Sequence, residues 1–385
     1  MMTNVKLKKA LKNTIFPILT LMNKIVPKKD NLILLYSGNK GINNCLVPLR
    51  KYMLDNGYDK KYKIYCGIEN MKYADNEDRV TFITQFQSIW LFLRTAHVFY
   101  TTGQIPIKPS KKQCVIQLWH GNSNFKTIGK WANKNNGDEF YFTYMFAPSD
   151  LYVPIQASEY GCPESCIVPY GDMFVDELLD SSKERTLFKE FTKILFWAPT
   201  FRKSDYLNYV DSEMENLMPL FDESEYPNLN EILKEYDIKL IVKPHPMHNN
   251  FGTSQRHFSH LDVFTHDEFV KEGLSLYPLL AQVDGLIGDY SSVSMQFMLM
   301  DRPMAFVVPD LEEYGKKRGF VFKKPEDYMG GHIIKTKEQF FAFIDDFAKG
   351  KDIYKEKRHL VRDLVYKYQD SGTRRRAVEL SGLKL

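Results

Sequence analysis

The chain has 385 residues, 44% hydrophobic and 26% charged, with a formal net charge of +4. That composition excludes a disordered or low-complexity protein, and the length exceeds one ordinary domain, so two domains of moderate size are expected. Five cysteines, Cys45, Cys66, Cys114, Cys162 and Cys166, lack paired zinc-type spacing and read as reduced thiols in a cytosolic setting.

The basic excess is local. Residues 1–29 contain seven lysines and no acid. In the same segment Leu7, Leu11, Ile15, Ile18, Met22 and Ile25 recur at steps of three and four, which predicts a helix with one apolar stripe, kinked at Pro17. Its uncharged stretch from Asn13 to Asn23 is shorter than the roughly 20 residues that span a bilayer, and no small-residue cleavage site follows it. Residues 1–30 are therefore expected to lie on an anionic membrane surface, at the cytoplasmic face, as a peripheral amphipathic helix. A helix packed on the protein's own surface is the alternative.

Beyond residue 30, short β-rich runs alternate with longer helical patterns, as in parallel sheets covered by helices. The first series of predicted strands is Leu32 to Tyr36, Lys63 to Cys66, His97 to Tyr100, Val115 to Trp119 and Tyr144 to Ala147. The second is Ile194 to Trp197, Lys239 to Val242, Asp262 to Phe264, Gly285 to Ile287 and Met304 to Val308. A polar stretch around residue 185 divides them into domains 31–185 and 186–385. Two doubly wound domains of this kind hold ligands in a central cleft, at the carboxyl ends of their strands.

Polar residues cluster where these strands end. After the strand beginning near Cys114 comes Trp119-His120-Gly121-Asn122, with Lys126 following; an imidazole there can take a proton from an incoming hydroxyl, or serve only structure. Lys239 to Val242 delivers Lys243 and His245 into a turn stiffened by two prolines, where both side chains suit phosphate oxygens. Leu286-Ile-Gly288-Asp289-Tyr-Ser291-Ser292 runs from a strand into an apolar helix, whose N-terminal N–H groups receive phosphate, although a plain N-cap serine is common. Ala198-Pro-Thr200-Phe-Arg202 ends on a guanidinium able to fork onto a diphosphate or to pair with a carboxylate. Pro309-Asp310 with Glu312 and Arg318 mixes acids that can accept ribose hydroxyls with bases. There is no Walker loop, G-x-G-x-x-G, G-x-S-x-G or H-E-x-x-H motif, and the lysine-rich leader lacks the interleaved aromatics of a nucleic-acid site.

Together these segments resemble the CDP-glycerol glycerophosphotransferase family of teichoic acid synthesis. The likeness rests on Trp119-His-Gly121 with Lys126, Ala198-Pro-Thr200 with Arg202, Lys243 with His245-Pro246, Asp289-Tyr-Ser-Ser292, and Pro309-Asp310 with Arg318-Gly319. It implies a GT-B-like α/β architecture of two Rossmann-like domains, acceptor side first and nucleotide-donor side second. It also implies transfer of glycerol phosphate from CDP-glycerol to a hydroxyl of a polyprenyl-diphosphate-linked glycan, with CMP leaving. By similarity His120 is the base and His245 contacts the transferred phosphate. Lys243, Arg202, Thr200, Asp289, Ser291, Ser292, Glu312 and Arg318 are donor-binding, and Gly121, Asn122 and Lys126 lie on the acceptor side. No cofactor is required, although Mg²⁺ can accompany a diphosphate donor.

The sequence departs from the family pattern at Asn122 and Ser123, Gly288, Gln296, and Met173 with Phe174. A CDP-ribitol donor or a capsule-type polymer therefore stays open, as does a GT-B glycosyltransferase using a sugar nucleotide.

Overall fold

All ten predicted strands form in the computed structural model, which describes the chain except residues 1–4, 120–122, 133–138, 205–208, 215 and 246–254. The chain divides into two compact units. The first comprises Met1–Asn122, Lys134–Asp176 and Asp370–Leu385, and the second Ser123–Asn133 and Glu177–Gln369.

In the first unit the strands are β1 (Lys29–Tyr36), β2 (Lys63–Ile68), β3 (Thr81–Thr84), β4 (Thr95–Tyr100), β5 (Cys114–Gln117), β6 (Tyr144–Phe146) and β7 (Ile167–Val168). They form one parallel sheet in the order β3-β2-β1-β4-β5-β6-β7. Successive side chains point to opposite faces, and β1 shows the consequence. Ile33 and Leu35 join a core under helix α2 (Leu46–Asp55), while Leu34 and Tyr36 join another that includes Leu19 and Phe92. Those two residues belong to α1 (Val5–Ile25) and α3 (Gln85–Phe92), so both helices cover the same face of the sheet.

α1 runs through Pro17, and its apolar stripe divides. Phe16, Leu19 and Met22 pack inward, whereas Ile15, Ile18, Leu21 and Ile25 stay exposed. Fully buried Asn23 fastens the inward side by donating to the Lys108 carbonyl at 3.0 Å and to Gln113 Oε1 at 2.6 Å. Lys28 Nζ adds a bond to the Leu93 carbonyl at 2.5 Å. The leader is thus part of the first unit rather than a separate segment of 1–30.

The second unit contains β8 (Lys193–Trp197), a two-stranded hairpin of β9 (Lys203–Ser204) and β10 (Tyr209–Val210), β11 (Ile238–Val242), β12 (Leu261–Val263), β13 (Gly285–Gly288), β14 (Met304–Val307) and β15 (His332–Ile334). Its six-stranded parallel sheet has the order β12-β11-β8-β13-β14-β15. One face packs Trp197, Val242, Ile287 and Val307 against Leu229 and Leu233 of the helix Tyr226–Glu235 and Phe340 and Phe343 of the helix Lys337–Ala348.

Two departures from the expected boundaries have identifiable causes. Buried Asp176 accepts hydrogen bonds from the backbone N–H groups of Thr373 at 3.0 Å and Arg374 at 2.8 Å, capping the helix Thr373–Leu380. Ala377, Val378 and Leu383 then complete the first core, so the last 16 residues leave the expected 186–385 domain. Conversely, Phe125 meets Phe306 edge-on at 6.0 Å and Lys126 bridges Phe320, which draws residues 123–133 into the second unit.

Candidate active site

Strand order in the second unit reverses at β8, whose neighbours are β11 and β13. Loops leaving β8 and β13 turn away from each other at such a point and open a crevice at the carboxyl ends. The loop after β13 begins with Asp289, whose side chain is 1% exposed. Its carboxylate accepts from the Thr200 backbone N–H at 2.7 Å, from the Thr200 hydroxyl and from Arg202 Nη1. Arg202 also pairs with Asp310, Nε to Oδ2 at 3.1 Å, and donates to the Thr200 carbonyl at 2.6 Å. One guanidinium thereby joins the loops after β8, β13 and β14.

Aromatic rings close around this ion cluster. The Arg202 guanidinium lies 5.1 Å from the Tyr290 ring centroid, Tyr290 stacks on Tyr314 at 4.1 Å, and the Tyr290 hydroxyl donates to Asp310 at 2.9 Å. Burial alone would lower the Arg202 pKa, but Asp289 and Asp310 outweigh it and hold the group charged. Burial likewise pushes Asp310 up, and Arg202 more than reverses it, leaving that carboxyl below its ordinary range. Arg202 was expected either to fork onto a diphosphate or to pair with a carboxylate; in this geometry its donors go to two buried carboxylates and a carbonyl, which leaves it no part in holding the donor. The correction follows from charge, since two buried acids without a partner would be costly.

Lys126, expected on the acceptor side, lies in the second unit with the residues expected to bind the donor. Thr127 accounts for that position: its N–H donates to the Gly319 carbonyl at 3.1 Å and its hydroxyl to the Arg318 carbonyl at 2.7 Å. Burial, and next the Arg318 guanidinium, lower the Lys126 ammonium to about 8, against the opposing pull of Asp289 and Asp211. Arg318 itself approaches Asp211 at 3.8 Å, and burial raises the Asp211 carboxyl.

Lys243 follows β11, tied by its N–H to the Trp197 carbonyl at 2.9 Å, with Nζ 5.4 Å from the Phe269 ring centroid and its pKa lowered by burial. His245 is exposed and stacks on Phe201, ring centroids 5.7 Å apart at 28°. Ser291 is the N-cap of the short helix Ser292–Phe297, and both serines are partly exposed. Gly288 explains one departure from the family pattern. A Cβ there would lie 2.0 Å from Ser294 Oγ, so Ser294 occupies the space that a side chain at 288 would need. Gln296 is buried and accepts from the Tyr277 hydroxyl at 3.0 Å. Glu312 is exposed and lines a cavity of about 770 Å³ with Asp310, Lys316, Lys317 and Lys335.

His120, Gly121 and Asn122 lie outside the described residues. The approach to them is described, and it is strained. Trp119 adopts a left-handed backbone with φ of 56°, which is uncommon for a bulky residue. Its N–H donates to Gln117 Oε1 at 3.1 Å, its carbonyl accepts from Cys45 Sγ at 3.3 Å, and its ring meets Tyr160 edge-on at 5.7 Å.

Sequence reasoning missed Asp211 entirely, gave no role to Phe201 or Tyr290 although both stand inside quoted motifs, and offered Asp310 to ribose hydroxyls rather than to Arg202. Among the described residues no disulfide forms, and no group of three or more His, Cys, Asp or Glu is arranged to hold a metal ion.

The profile of the CDP-glycerol:poly(glycerophosphate) glycerophosphotransferase family matches residues 18–380. The chain belongs to that family. Among its relatives, the teichoic acid ribitol-phosphate polymerase TarL of Staphylococcus aureus is 26% identical over 375 residues, covering 91% of this chain and 62% of TarL. A teichoic acid poly(glycerol phosphate) polymerase of Bacillus spizizenii is 26% identical over 349 residues, covering 83% of this chain and 84% of that protein. The chain thus spans about three fifths of the length of TarL. The structure of the wall teichoic acid polymerase TagF shares the fold, with a TM-score of 0.73 at 18% identity over 98% of this chain and 95% of that one. The architecture is therefore α/β and GT-B-like, with two Rossmann-like units.

Proposed function

We propose that this protein transfers an alditol phosphate from a CDP-alditol, CDP-glycerol first, to a hydroxyl of a lipid-linked glycan acceptor in teichoic acid or related polymer synthesis. The acceptor oxygen attacks the phosphorus that carries the alditol, the bond to CMP breaks, and the hydroxyl proton passes to His120. The protein contributes position and charge rather than covalent chemistry. Lys126, Lys243 and Arg318 neutralise the diphosphate, Ser291 and Ser292 receive its oxygens, and His245 bears on the transferred phosphate. Glu312, which lines the cavity of about 770 Å³, accepts ribose hydroxyls of the nucleoside.

The observation that carries this reading is the convergence of Thr200, Asp289 and Asp310 on one guanidinium, with Lys126 and Arg318 nearby. It brings four of the quoted motifs to one end of one sheet. A CDP-ribitol donor is the second reading, favoured by the likeness to the ribitol-phosphate polymerase TarL. The test is CMP release from CDP-glycerol, CDP-ribitol and UDP-sugars in parallel, each with a lipid-linked glycosyl acceptor. Acceptor-dependent CMP from one CDP-alditol names the donor, whereas turnover with a UDP-sugar alone refutes the phosphotransferase. No metal is required by this reading; Mg²⁺ acts as a counterion of the donor, and EDTA should weaken donor binding without abolishing turnover.

The protein works as a peripheral protein at the cytoplasmic membrane face. No helix among the described residues is long and apolar enough to cross a membrane. Instead, Ile15, Ile18, Leu21 and Ile25 project from α1, and Phe86 and Trp90 from α3 on the same face of the first unit. Lysines in the leader suit that apolar face to an anionic surface. Replacing Ile18 and Leu21 by Glu should abolish sedimentation with anionic vesicles while leaving the fold intact, because neither side chain is buried.

A further inference from the structure

Phe201 stands between two residues held by buried carboxylates. On one side Thr200 is held by Asp289 through its N–H and its hydroxyl, and on the other Arg202 is locked between Asp289 and Asp310. The loop backbone is therefore fixed on both sides of the phenyl ring. His245 reaches that ring from β11, through Lys243, whose N–H is tied to the Trp197 carbonyl, and the buried Pro244, whose ring restricts the backbone. The imidazole is exposed to solvent. Its near-parallel contact with Phe201, at 5.7 Å and 28°, restrains the ring plane.

We propose that Phe201 is a positioning residue for His245: its ring sets the plane of the imidazole and so the direction in which a ring nitrogen meets the transferred phosphate. This rests on the role of His245 given above. The sequence supports it in a simple way, because Thr200-Phe201-Arg202 alternates two anchors with one reporter. The ion cluster then acts on His245 at a distance, through Phe201, without touching substrate.

Two measurements on the 385-residue chain test it. The first needs no substrate. With labelled histidine, the His245 Hε1 resonance, identified by its loss in His245→Gln, should lie upfield under the Phe201 ring and move downfield in Phe201→Leu, while Phe201→Tyr leaves it in place. The second is kinetic. Phe201→Leu should lower kcat for CMP release roughly three- to tenfold, the range of a single aromatic contact, with donor KM changed less than about twofold. Phe201→Tyr should restore kcat, and Phe201→Leu combined with His245→Gln should be no slower than His245→Gln alone.

An unmoved resonance, an unchanged kcat in Phe201→Leu, or an additive loss in the double variant would each overturn the proposal. Full turnover in His245→Gln would overturn it as well, by removing the role of His245. That failure is distinguishable, because the resonance shift reports the stacking whether or not the histidine serves the reaction.

Discussion

Arg202 carries two buried carboxylates, Asp289 and Asp310, whose side chains are 1% and 3% exposed. Deleting one member of a buried ion cluster leaves the others desolvated and unpaired, which costs about 3–5 kcal/mol. Arg202→Met should therefore lower unfolding stability by that amount in urea titrations. Arg202→Lys should fall between, because one ammonium cannot reproduce the fork that reaches both acids. An Arg202→Met protein of parental stability with a raised donor KM would instead mean that the guanidinium serves ligand. Lys126 offers a prediction in pH. Its ammonium titrates near 8, so it is charged below that value and neutral above it, and the folded-state pKa lies below the ordinary one. Arg318 and Arg202 face it with like charge, Asp289 and Asp211 with opposite charge. Donor KM should rise as pH passes from about 7 to about 9, the span around that pKa, as the cation is lost. Lys126→Arg should flatten that rise, since a guanidinium keeps its charge. The sequence showed a basic residue after each of these strand ends, but not its direction. Asp289 and Asp310 are 87 and 108 positions from Arg202, and only the fold says that they, rather than solvent, receive it.

The legible elements are those with two buried faces. β1, β4, β8 and β11 read as continuous apolar runs because helices cover both sides of a parallel sheet. The three main-sheet strands that escaped prediction, β3, β7 and β15, are edge strands of four, two and three residues. A short edge buries little and leaves almost no periodicity to read. α1 shows the complementary limit. Its spacing revealed an apolar stripe but not that Leu19 and Met22 would pack inward while Ile15, Ile18 and Ile25 faced out. Asn23 decides the matter, and nothing local in the sequence marks a buried asparagine. Asn23→Ala removes a donor from the Lys108 carbonyl and from Gln113 Oε1, which keeps the Ser110 N–H at 3.1 Å, and also removes an acceptor used by Lys28. Each lost hydrogen bond costs about 0.5–1.5 kcal/mol. Hydrogen exchange in α1 should accelerate in Asn23→Ala, with that of the second unit unchanged. Equal protection in both proteins would show that the apolar contacts alone hold the helix.

At the scale of the molecule, alternation of strands and helices disclosed two Rossmann-like units, yet not how the chain is shared between them. It passes from one unit to the other after residues 122, 133, 176 and 369. The last passage has the largest consequence, because residues 370–385 complete the core of a unit that otherwise ends at Asp176. Val378 is fully buried and Leu383 is 3% exposed. Burying two such aliphatic side chains stabilises by about 3–6 kcal/mol, and the Asp176 cap on Thr373 and Arg374 adds about 1 kcal/mol. Domains of this size are stable by only about 5–15 kcal/mol in total. A protein ending at residue 369 should therefore lose cooperative unfolding of the first unit, seen as exchange of the β1 and β4 amides. Protection of β8 and β13 should persist, since the second unit keeps every strand. Asp176→Ala should give a milder version of the same pattern. If truncation left the β1 amides protected, Val378 and Leu383 would be surface decoration, and the first unit would be self-sufficient without the returning helix.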